Sequence, residues 1–247
     1  MVTSTSRIIV ALDLPTAEAA VELAAAVAEH VAGFKVGLGL LHGPGPGVVS
    51  ALVGLGRPVF ADAKLHDIPS QVEAAAEQLG RRGARWVTVH LSGGRAMVRA
   101  AVEGLARGAG DAPSGILGVT VLTSLDGNRL GEVGIQQSPG RLVSKMSRLA
   151  LDVGCEGVIT SSRELKVVAD VAPDLLRVTP GIRQHPGGDD QTRSATPAEA
   201  LARGADLLVV GRPITRAADP VGAAATLAAE AAEVGVRRPI AGLEPTA

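Results

Sequence analysis

Three charged residues, Asp62, Lys64 and Asp67, fall within six positions of one short stretch, F-A-D-A-K-L-H-D-I-P-S. The preceding apolar run, Pro58–Ala61, predicts a buried strand. Residues two apart on a strand share a face, so we expect the Asp62 and Lys64 side chains to lie together. A buried carboxylate and ammonium cost desolvation free energy unless they pair or do chemistry. Asp67 lies where the strand must end, because Pro69 lacks an N–H and suits a turn or a first helical turn. On this stretch alone, an ion pair at a strand end is an equally good interpretation.

The composition narrows the class of protein. The chain has 247 residues, 46% hydrophobic and 20% charged, and a net charge of −1. This balance is typical of a soluble globular domain and provides no basic surface for nucleic acid. Aromatic residues make up 1% of the chain, which argues against a base-stacking platform. The single cysteine, Cys155, excludes an internal disulfide and a multi-cysteine zinc site, and we expect it to be a buried filler.

No apolar run is long enough to span a membrane, and the first residues lack a signal-peptide pattern. We therefore expect a cytoplasmic protein without a membrane partner.

Short β-branched runs alternate with longer segments rich in Ala, Leu, Glu and Arg. The predicted strands are Ile8–Leu12, Gly33–Gly37, Val59–Ala63, Trp86–His90, Gly115–Leu122, Gly157–Thr160, Leu176–Thr179 and Leu207–Val210. The predicted helices are Thr16–His30, Gly47–Leu55, Ser70–Arg82, Gly94–Arg107, Pro139–Val153, Ser161–Val171, Thr196–Arg203 and Pro220–Val234.

Nearly continuous apolar strands are typical of a parallel sheet covered on both faces. Eight strand-then-helix units in a chain of this length predict an α/β fold, a single-domain (β/α)8 TIM barrel, over residues 1–236. Residues 237–247 are predicted to form a loosely held tail. An open doubly wound sheet is the alternative, but no G-x-G-x-x-G follows the first strand.

In such a barrel the chemistry lies at the carboxyl ends of the strands. There we expect Asp13, Lys35 and the Asp62–Lys64 pair, and two of these groups are lysines within apolar strands. The loops after strands seven and eight contain Gly181, Gly211 and Arg212. Loops at these positions often bind phosphate, because glycine lets the backbone approach an anion and arginine binds it with two hydrogen bonds. The polar, glycine-rich segment 181–195 is predicted to be a mobile lid.

Five segments in this order, F-A-D-A-K-L-H-D-I-P, V-L-T-S, T-P-G-I-R, D-D-Q-T-R and V-V-G-R-P-I-T, resemble the orotidine 5′-monophosphate decarboxylase family. The resemblance covers nearly the whole chain, from Asp13 to the eighth strand. It implies a (β/α)8 barrel that converts orotidine 5′-monophosphate (OMP) to uridine 5′-monophosphate (UMP) and CO₂ in pyrimidine biosynthesis, without a metal or organic cofactor. It also implies a homodimer.

The resemblance also implies roles for individual residues. Lys64 would protonate C6 of the pyrimidine, Asp62 would lie beside the departing carboxylate, and Lys35 would complete a row of alternating charges. Asp67 would reach into the partner subunit's site. The remaining residues would bind the substrate: Asp13 and Lys35 the ribose, Thr123 and Ser124 the ribose and base, and Arg183, Gln191, Gly211 and Arg212 the phosphate. The loop 41–47, L-H-G-P-G-P-G, departs from the family pattern, and its shape does not follow from the resemblance.

Two other functions stay open on the sequence. One is a metal-dependent sugar-phosphate decarboxylase of the same suprafamily, such as a 3-keto-gulonate-6-phosphate decarboxylase, which shares the D-x-K-x-x-D strand. That enzyme has an acidic residue for Mg²⁺ on its second strand, where this chain has Lys35, a cation that would repel the metal. The other is a non-catalytic sensor of phosphate ligands, which would not need a buried row of charges.

Overall fold

The fold is a closed barrel of eight parallel strands that pair in chain order, with β1 also pairing to β8. The computed structural model describes residues 6–183, 195–234 and 239–243. The strands are β1 (Ile8–Ala11), β2 (Gly33–Val36), β3 (Val59–Leu65), β4 (Trp86–His90), β5 (Gly115–Val119), β6 (Gly157–Ile159), β7 (Leu176–Thr179) and β8 (Leu207–Val210). The predicted (β/α)8 barrel is therefore confirmed.

Helices follow the strands around the outside. They are α1 (Ala17–Val27), α2 (Leu38–His42), α3 (Gly47–Val53), α4 (Pro69–Arg81), α5 (Gly94–Ala109), α6 (Gly127–Glu132), α7 (Pro139–Asp152), α8 (Leu165–Val171), α9 (Pro197–Ala202), α10 (Arg212–Thr215) and α11 (Pro220–Glu233). Two of them are capped at their amino-terminal ends, since the Thr16 side chain accepts from Ala19 N–H and Thr196 forms a capping box with Glu199. The short helices α2, α6 and α10 were not predicted, because four to six residues are too few to show helical periodicity.

Two apolar cores hold the barrel together. Side chains inside the barrel form one buried cluster, which includes Ile9, Phe60, Trp86, Leu117 and Leu207. The opposite faces of the strands pack against the helices in a second and larger cluster. Because both faces of each strand are buried, the strands read as continuous apolar runs, and a polar side chain within one of them calls for an explanation.

Helices α4 and α5 pack with their backbones in contact. A Cβ at Gly80 would lie 2.7 Å from the carbonyl oxygen of Leu105, and a Cβ at Gly104 or Gly108 would clash with the carbonyl oxygens of Glu73 and Glu77. Gly80 lies inside α4, where its missing side chain admits the neighbouring helix. This packing fixes α4, whose first turn follows the Asp67 loop.

Residues 239–243, part of the predicted loose tail, are packed. Ile240 joins the cluster inside the barrel, and the guanidinium of Arg85 donates to the carbonyl oxygen of Ala241 at 2.9 Å. Arg85 directly precedes β4, so this segment lies at the amino-terminal end of the strands, away from the expected chemistry. Ile240 and Ala241 therefore contact the barrel, and the loosely held tail over residues 237–247 stays a prediction.

No helix within the described ranges combines the length and the apolar character needed to cross a membrane.

Candidate active site

A cavity of about 320 Å³ opens at the carboxyl ends of the strands. Seven of the eight strands, or the loops that directly follow them, supply its lining. The polar lining residues are Asp13, Lys35, Asp62, Lys64, Thr123, Thr160, Arg183 and Arg212, and the apolar ones include Phe60, Val119, Val121, Ile159 and Val209. The mouth of the barrel therefore offers an apolar floor with charged groups around it, which is typical of a small-molecule site.

Four charged side chains form a continuous row along one side of the cavity. The Nζ of Lys35 lies 3.1 Å from Oδ1 of Asp13 and 3.6 Å from Oδ2 of Asp62, and the Nζ of Lys64 lies 2.6 Å from that same Oδ2. The signs alternate from Asp13 through Lys35 and Asp62 to Lys64. The sequence predicted that Lys35, Asp62 and Lys64 would meet, and the structure brings them together.

Gly37 makes room for the first pair of this row. A Cβ on Gly37 would lie 2.7 Å from Oδ1 of Asp13 and 3.1 Å from the Nζ of Lys35. Both distances are shorter than van der Waals contact, so any larger residue would push the two charged groups aside.

Strand β3 is irregular where it delivers Lys64. Its pairing with β4 advances from Ala61 opposite Val87 to Leu65 opposite Val89. Over this stretch β3 advances by four residues and β4 by two, so β3 contains a bulge. Lys64 has a φ of 46°, which is unfavourable for a residue with a Cβ. Such strain costs about 1–3 kcal/mol and persists only where neighbouring contacts enforce it. The Asp62–Lys64 pairing thus depends on a bulged strand, and not on the simple alternation from which it was predicted.

The Asp62 carboxylate is the most constrained group of the site. Burial favours its neutral form, but the charges of Lys35 and Lys64 and hydrogen bonds from Lys64 and Thr88 outweigh burial, so the pKa of Asp62 lies below its ordinary value. Asp62 is therefore ionised throughout the neutral pH range, with a lysine on either side of one oxygen.

The mouth also carries two arginines. Arg183, after β7, and Arg212, after β8, line the cavity together with Gly181 and Gly211. Gly181 has a φ of 81°, which a glycine adopts without strain. In this barrel β7 lies opposite β3. Arg183 therefore follows the strand opposite β3, whereas Arg212 follows β8, which pairs with β1.

Two predicted site residues in the described part of the chain do not line this cavity. Ser124 is exposed, and its carbonyl oxygen accepts from Arg129 at 2.7 Å. Asp67 is exposed at the rim, and its Oδ1 accepts from the N–H of Ile68 at 2.6 Å. Gln191 lies outside the described residues, as does most of the predicted lid. The ends of that lid segment meet at the mouth, where the Arg183 N–H donates to the carbonyl oxygen of Ala195 at 2.9 Å.

Two threonines near the site were not predicted. Thr160 lines the cavity, and Thr88 lies behind the charged row, where its hydroxyl contacts Asp62. Each is a hydroxyl-bearing residue that follows apolar residues, in V-I-T and in W-V-T-V, and that contrast was the signal available in the sequence.

His90 and Cys155 have no role that the geometry supports. Burial, then the nearby His66 and Lys64, lower the pKa of His90 against the opposing charge of Asp62, so His90 is neutral at pH 7. Its ring lies 5.4 Å from that of His66. Burial raises the pKa of the Cys155 thiol to about 12, which makes it unreactive.

Comparison with known proteins identifies related sequences and structures. The model of the family described as orotidine 5′-phosphate decarboxylase / HUMPS matches residues 6–227. The orotidine 5′-phosphate decarboxylase of Anaeromyxobacter sp. (strain K) is 48% identical over 227 residues, which cover 90% of this chain and 97% of the relative. The enzyme of that name from Thermobifida fusca (strain YX) is 48% identical over 233 residues, with 92% and 97% covered.

Among solved structures, orotidine 5′-phosphate decarboxylase from Lactobacillus acidophilus superposes with a TM-score of 0.81 at 35% identity, covering 92% of this chain and 99% of that one. An uncharacterized conserved protein from Geobacillus kaustophilus gives a TM-score of 0.79 at 36% identity, covering 91% and 99%.

The depressed pKa of Asp62 predicts a specific dependence of stability on pH. Because the folded pKa lies below the unfolded one, ionised Asp62 adds stability that is fully present above about pH 4 and is lost as the pH falls through the folded pKa. The unfolding free energy of the wild type, relative to that of Asp62→Asn, should therefore fall as the pH is lowered from 7 to 3, which urea unfolding of both proteins would measure. A difference that stays constant over this range would show that the carboxylate is not stabilised by its neighbours.

Proposed function

Because the chain belongs to the orotidine 5′-phosphate decarboxylase / HUMPS family, we propose that it decarboxylates OMP to UMP and CO₂ in pyrimidine biosynthesis. The observation that carries this proposal is the Asp13–Lys35–Asp62–Lys64 row at the mouth of the barrel, in the same cavity as Arg183 and Arg212. The row supplies fixed charges and a proton, and the arginines supply a site for a phosphate.

The chemistry requires electrostatic stabilisation of a carbanion. When the bond between C6 and the carboxylate breaks, CO₂ leaves and the electron pair stays on C6. The Lys64 ammonium is the group we assign to stabilise this charge and then to transfer a proton to C6. Its side chain is 29% exposed, so it reaches the cavity, and its Nζ is held 2.6 Å from Asp62. Solvent would then restore the Lys64 proton.

Asp62 would lie against the carboxylate of the bound substrate. Two negative groups in contact raise the free energy of the bound ground state, and that repulsion disappears as CO₂ leaves. The carboxylate of Asp62 can stay ionised in this position because Lys35 and Lys64 hold its pKa low. Fixed charges of this kind are effective since they need no reorganisation during the reaction.

The rest of the nucleotide would extend across the cavity. We assign the ribose to Asp13 and Lys35, with Thr123 and Ser124 near the ribose and base. The phosphate would bind Arg212 and Arg183, with Gly211 at the turn and Gln191 arriving from the segment that follows Arg183. The binding energy of a remote phosphate can hold the base in place and so lower the barrier at C6.

No step of this proposal uses a metal. The Lys35 ammonium lies between the carboxylates of Asp13 and Asp62, 3.1 Å and 3.6 Å from them. A second cation there would be repelled at short range. This contact argues against the metal-dependent sugar-phosphate decarboxylase, and we propose an activity independent of cofactors.

The site also suggests a homodimer. Asp67 lies at the rim outside the cavity, and the adjacent Ile68 is 62% exposed. A second copy packed on this rim would bury Ile68 and bring the partner's Asp67 towards the Lys64 of this chain. We propose that each active site is completed in this way. A location in the cytoplasm stays a prediction.

The proposed activity is tested by spectrophotometry with OMP as substrate. We expect UMP to form, and the rate to be unchanged after dialysis against EDTA. Tight binding of OMP without turnover would support the non-catalytic sensor. Turnover of 3-keto-gulonate 6-phosphate that EDTA abolishes would support the metal-dependent enzyme.

Mixed dimers test the roles of Lys64 and Asp67 together. Lys64→Ala and Asp67→Ala dimers are each expected to lose nearly all turnover, and Lys64→Ala should still bind UMP, because the phosphate contacts remain. Co-expression of the two variants should restore about a quarter of the wild-type activity, since half of randomly assembled dimers are mixed and each mixed dimer has one intact site.

Isolated mixed dimers without activity would contradict the shared site. An active Asp67→Ala homodimer would remove Asp67 from the mechanism, and an active Lys64→Ala homodimer would remove Lys64.

Arg212→Ala tests the phosphate assignment. The loss of a charge-assisted hydrogen bond should weaken UMP binding about 10- to 100-fold in calorimetry and leave the weaker binding of uridine unchanged. Arg216→Ala is the control, because Arg216 is exposed just past the same short helix and does not line the cavity. Equal affinity of Arg212→Ala and wild type for UMP would refute the assignment.

A further inference from the structure

Thr88 connects Asp62 and Lys64, the last two members of the charged row. It lies in the middle of β4, its side chain is fully buried, and it does not line the cavity. Its Oγ1 accepts a hydrogen bond from the backbone N–H of Lys64 at 2.9 Å. The same oxygen lies 2.9 Å from Oδ1 of Asp62. One hydroxyl group therefore contacts both residues.

The direction of both hydrogen bonds follows from the chemistry. A backbone N–H can only donate, so the Thr88 oxygen accepts from Lys64. The Asp62 carboxylate is ionised and can only accept, so the Thr88 hydroxyl donates to it. Oδ1 of Asp62 is thereby held by Thr88, and Oδ2 is turned towards Lys35 and Lys64. Neither bond can reverse while Asp62 is charged.

Thr88 also compensates for the irregularity of β3. Between Ala61 and Leu65 the strand has two residues more than β4 can pair with, so the regular ladder is interrupted at Lys64. A buried N–H without an acceptor would cost free energy comparable to a lost hydrogen bond. The Thr88 hydroxyl replaces the missing backbone acceptor and holds Lys64 at its φ of 46°.

We propose that Thr88 is a positioning residue for the decarboxylation, which sets the backbone of Lys64 and the orientation of the Asp62 carboxylate at the same time. This inference rests on the proposed function. Thr88 does not reach the cavity and acts only through its two neighbours. Because β4 lies opposite β8 in the barrel, loss of the hydroxyl should disturb the charged row and leave the arginine side of the mouth intact.

Two pairs of variants isolate the hydroxyl group. Wild type and Thr88→Val have side chains of nearly equal shape and differ in the hydroxyl, and so do Thr88→Ser and Thr88→Ala at a smaller size. In each pair, we expect the member without the hydroxyl to have a kcat about 10- to 100-fold lower, because hydrogen bonds to a charged group and to a buried N–H are lost. UMP affinity should stay within about threefold of the wild-type value in all four proteins.

A second measurement does not depend on turnover. A hydrogen bond donated to a carboxylate lowers its pKa, so NMR titration should find Asp62 titrating at higher pH in Thr88→Val and Thr88→Ala than in their hydroxyl-bearing counterparts. Should Thr88→Val fail to fold, the Ser and Ala variants still give both comparisons.

Ser147→Ala controls for the removal of a buried hydroxyl. Ser147 is fully buried in α7, has no hydrogen-bond partner within the described ranges and does not line the cavity, so this variant should keep wild-type kcat. Equal kcat and equal Asp62 titration within both Thr88 pairs would overturn the proposal. A wild type that does not decarboxylate OMP would refute the proposed function, and the Asp62 titration would still decide the role of Thr88.

Discussion

The carboxylate of Asp62, held between two lysine ammonium groups at the mouth of the barrel, is the interaction on which the rest of the site depends. A buried lysine or a buried carboxylate is unfavourable by itself, because it loses its hydration and gains no charged or hydrogen-bonded partner in exchange. The buried pair is stable only if the charged groups are in close contact and the remaining carboxylate oxygen accepts a hydrogen bond. Lys35 and Lys64 contact one oxygen of Asp62, and Thr88 contacts the other. The site is therefore a set of mutually dependent groups, in which the loss of one member exposes the others.

The barrel makes this arrangement rigid. Asp13, Lys35 and the Asp62–Lys64 pair come from three adjacent strands, and adjacent parallel strands bring their carboxyl ends to one edge. The apolar core inside the barrel lies directly beneath, so the charged groups cannot relax inward. Electrostatic catalysis needs charges that are already in place before the reaction begins, and a closed sheet packed on both faces supplies them.

Different strands of the barrel carry the groups for the reaction and the groups for phosphate binding. The charged row on β1 to β3 faces the place where we propose the reacting carbon, and Arg183 and Arg212 after β7 and β8 face the proposed phosphate. This separation lets the phosphate contribute binding free energy without touching the reacting atoms. Asp67 belongs to neither of these two groups and does not line the cavity. It lies on the rim beside the exposed Ile68, on the surface that we assign to a second subunit.

Much of this could be predicted from the sequence, because it depends on local pattern and chemical type. Eight apolar runs alternating with helical segments predicted the barrel. Charged residues at the ends of those runs predicted the site, because the carboxyl ends of all eight parallel strands lie at the same end of the barrel. Three features came from the tertiary structure alone: the bulge that turns Lys64 towards Asp62, the hydroxyl of Thr88 that bridges them, and Gly37 as the space beside Asp13. Each is a contact between segments distant in the chain. Spacing along one strand does not encode which neighbour will satisfy a buried group, because that is decided only when the strands are packed side by side.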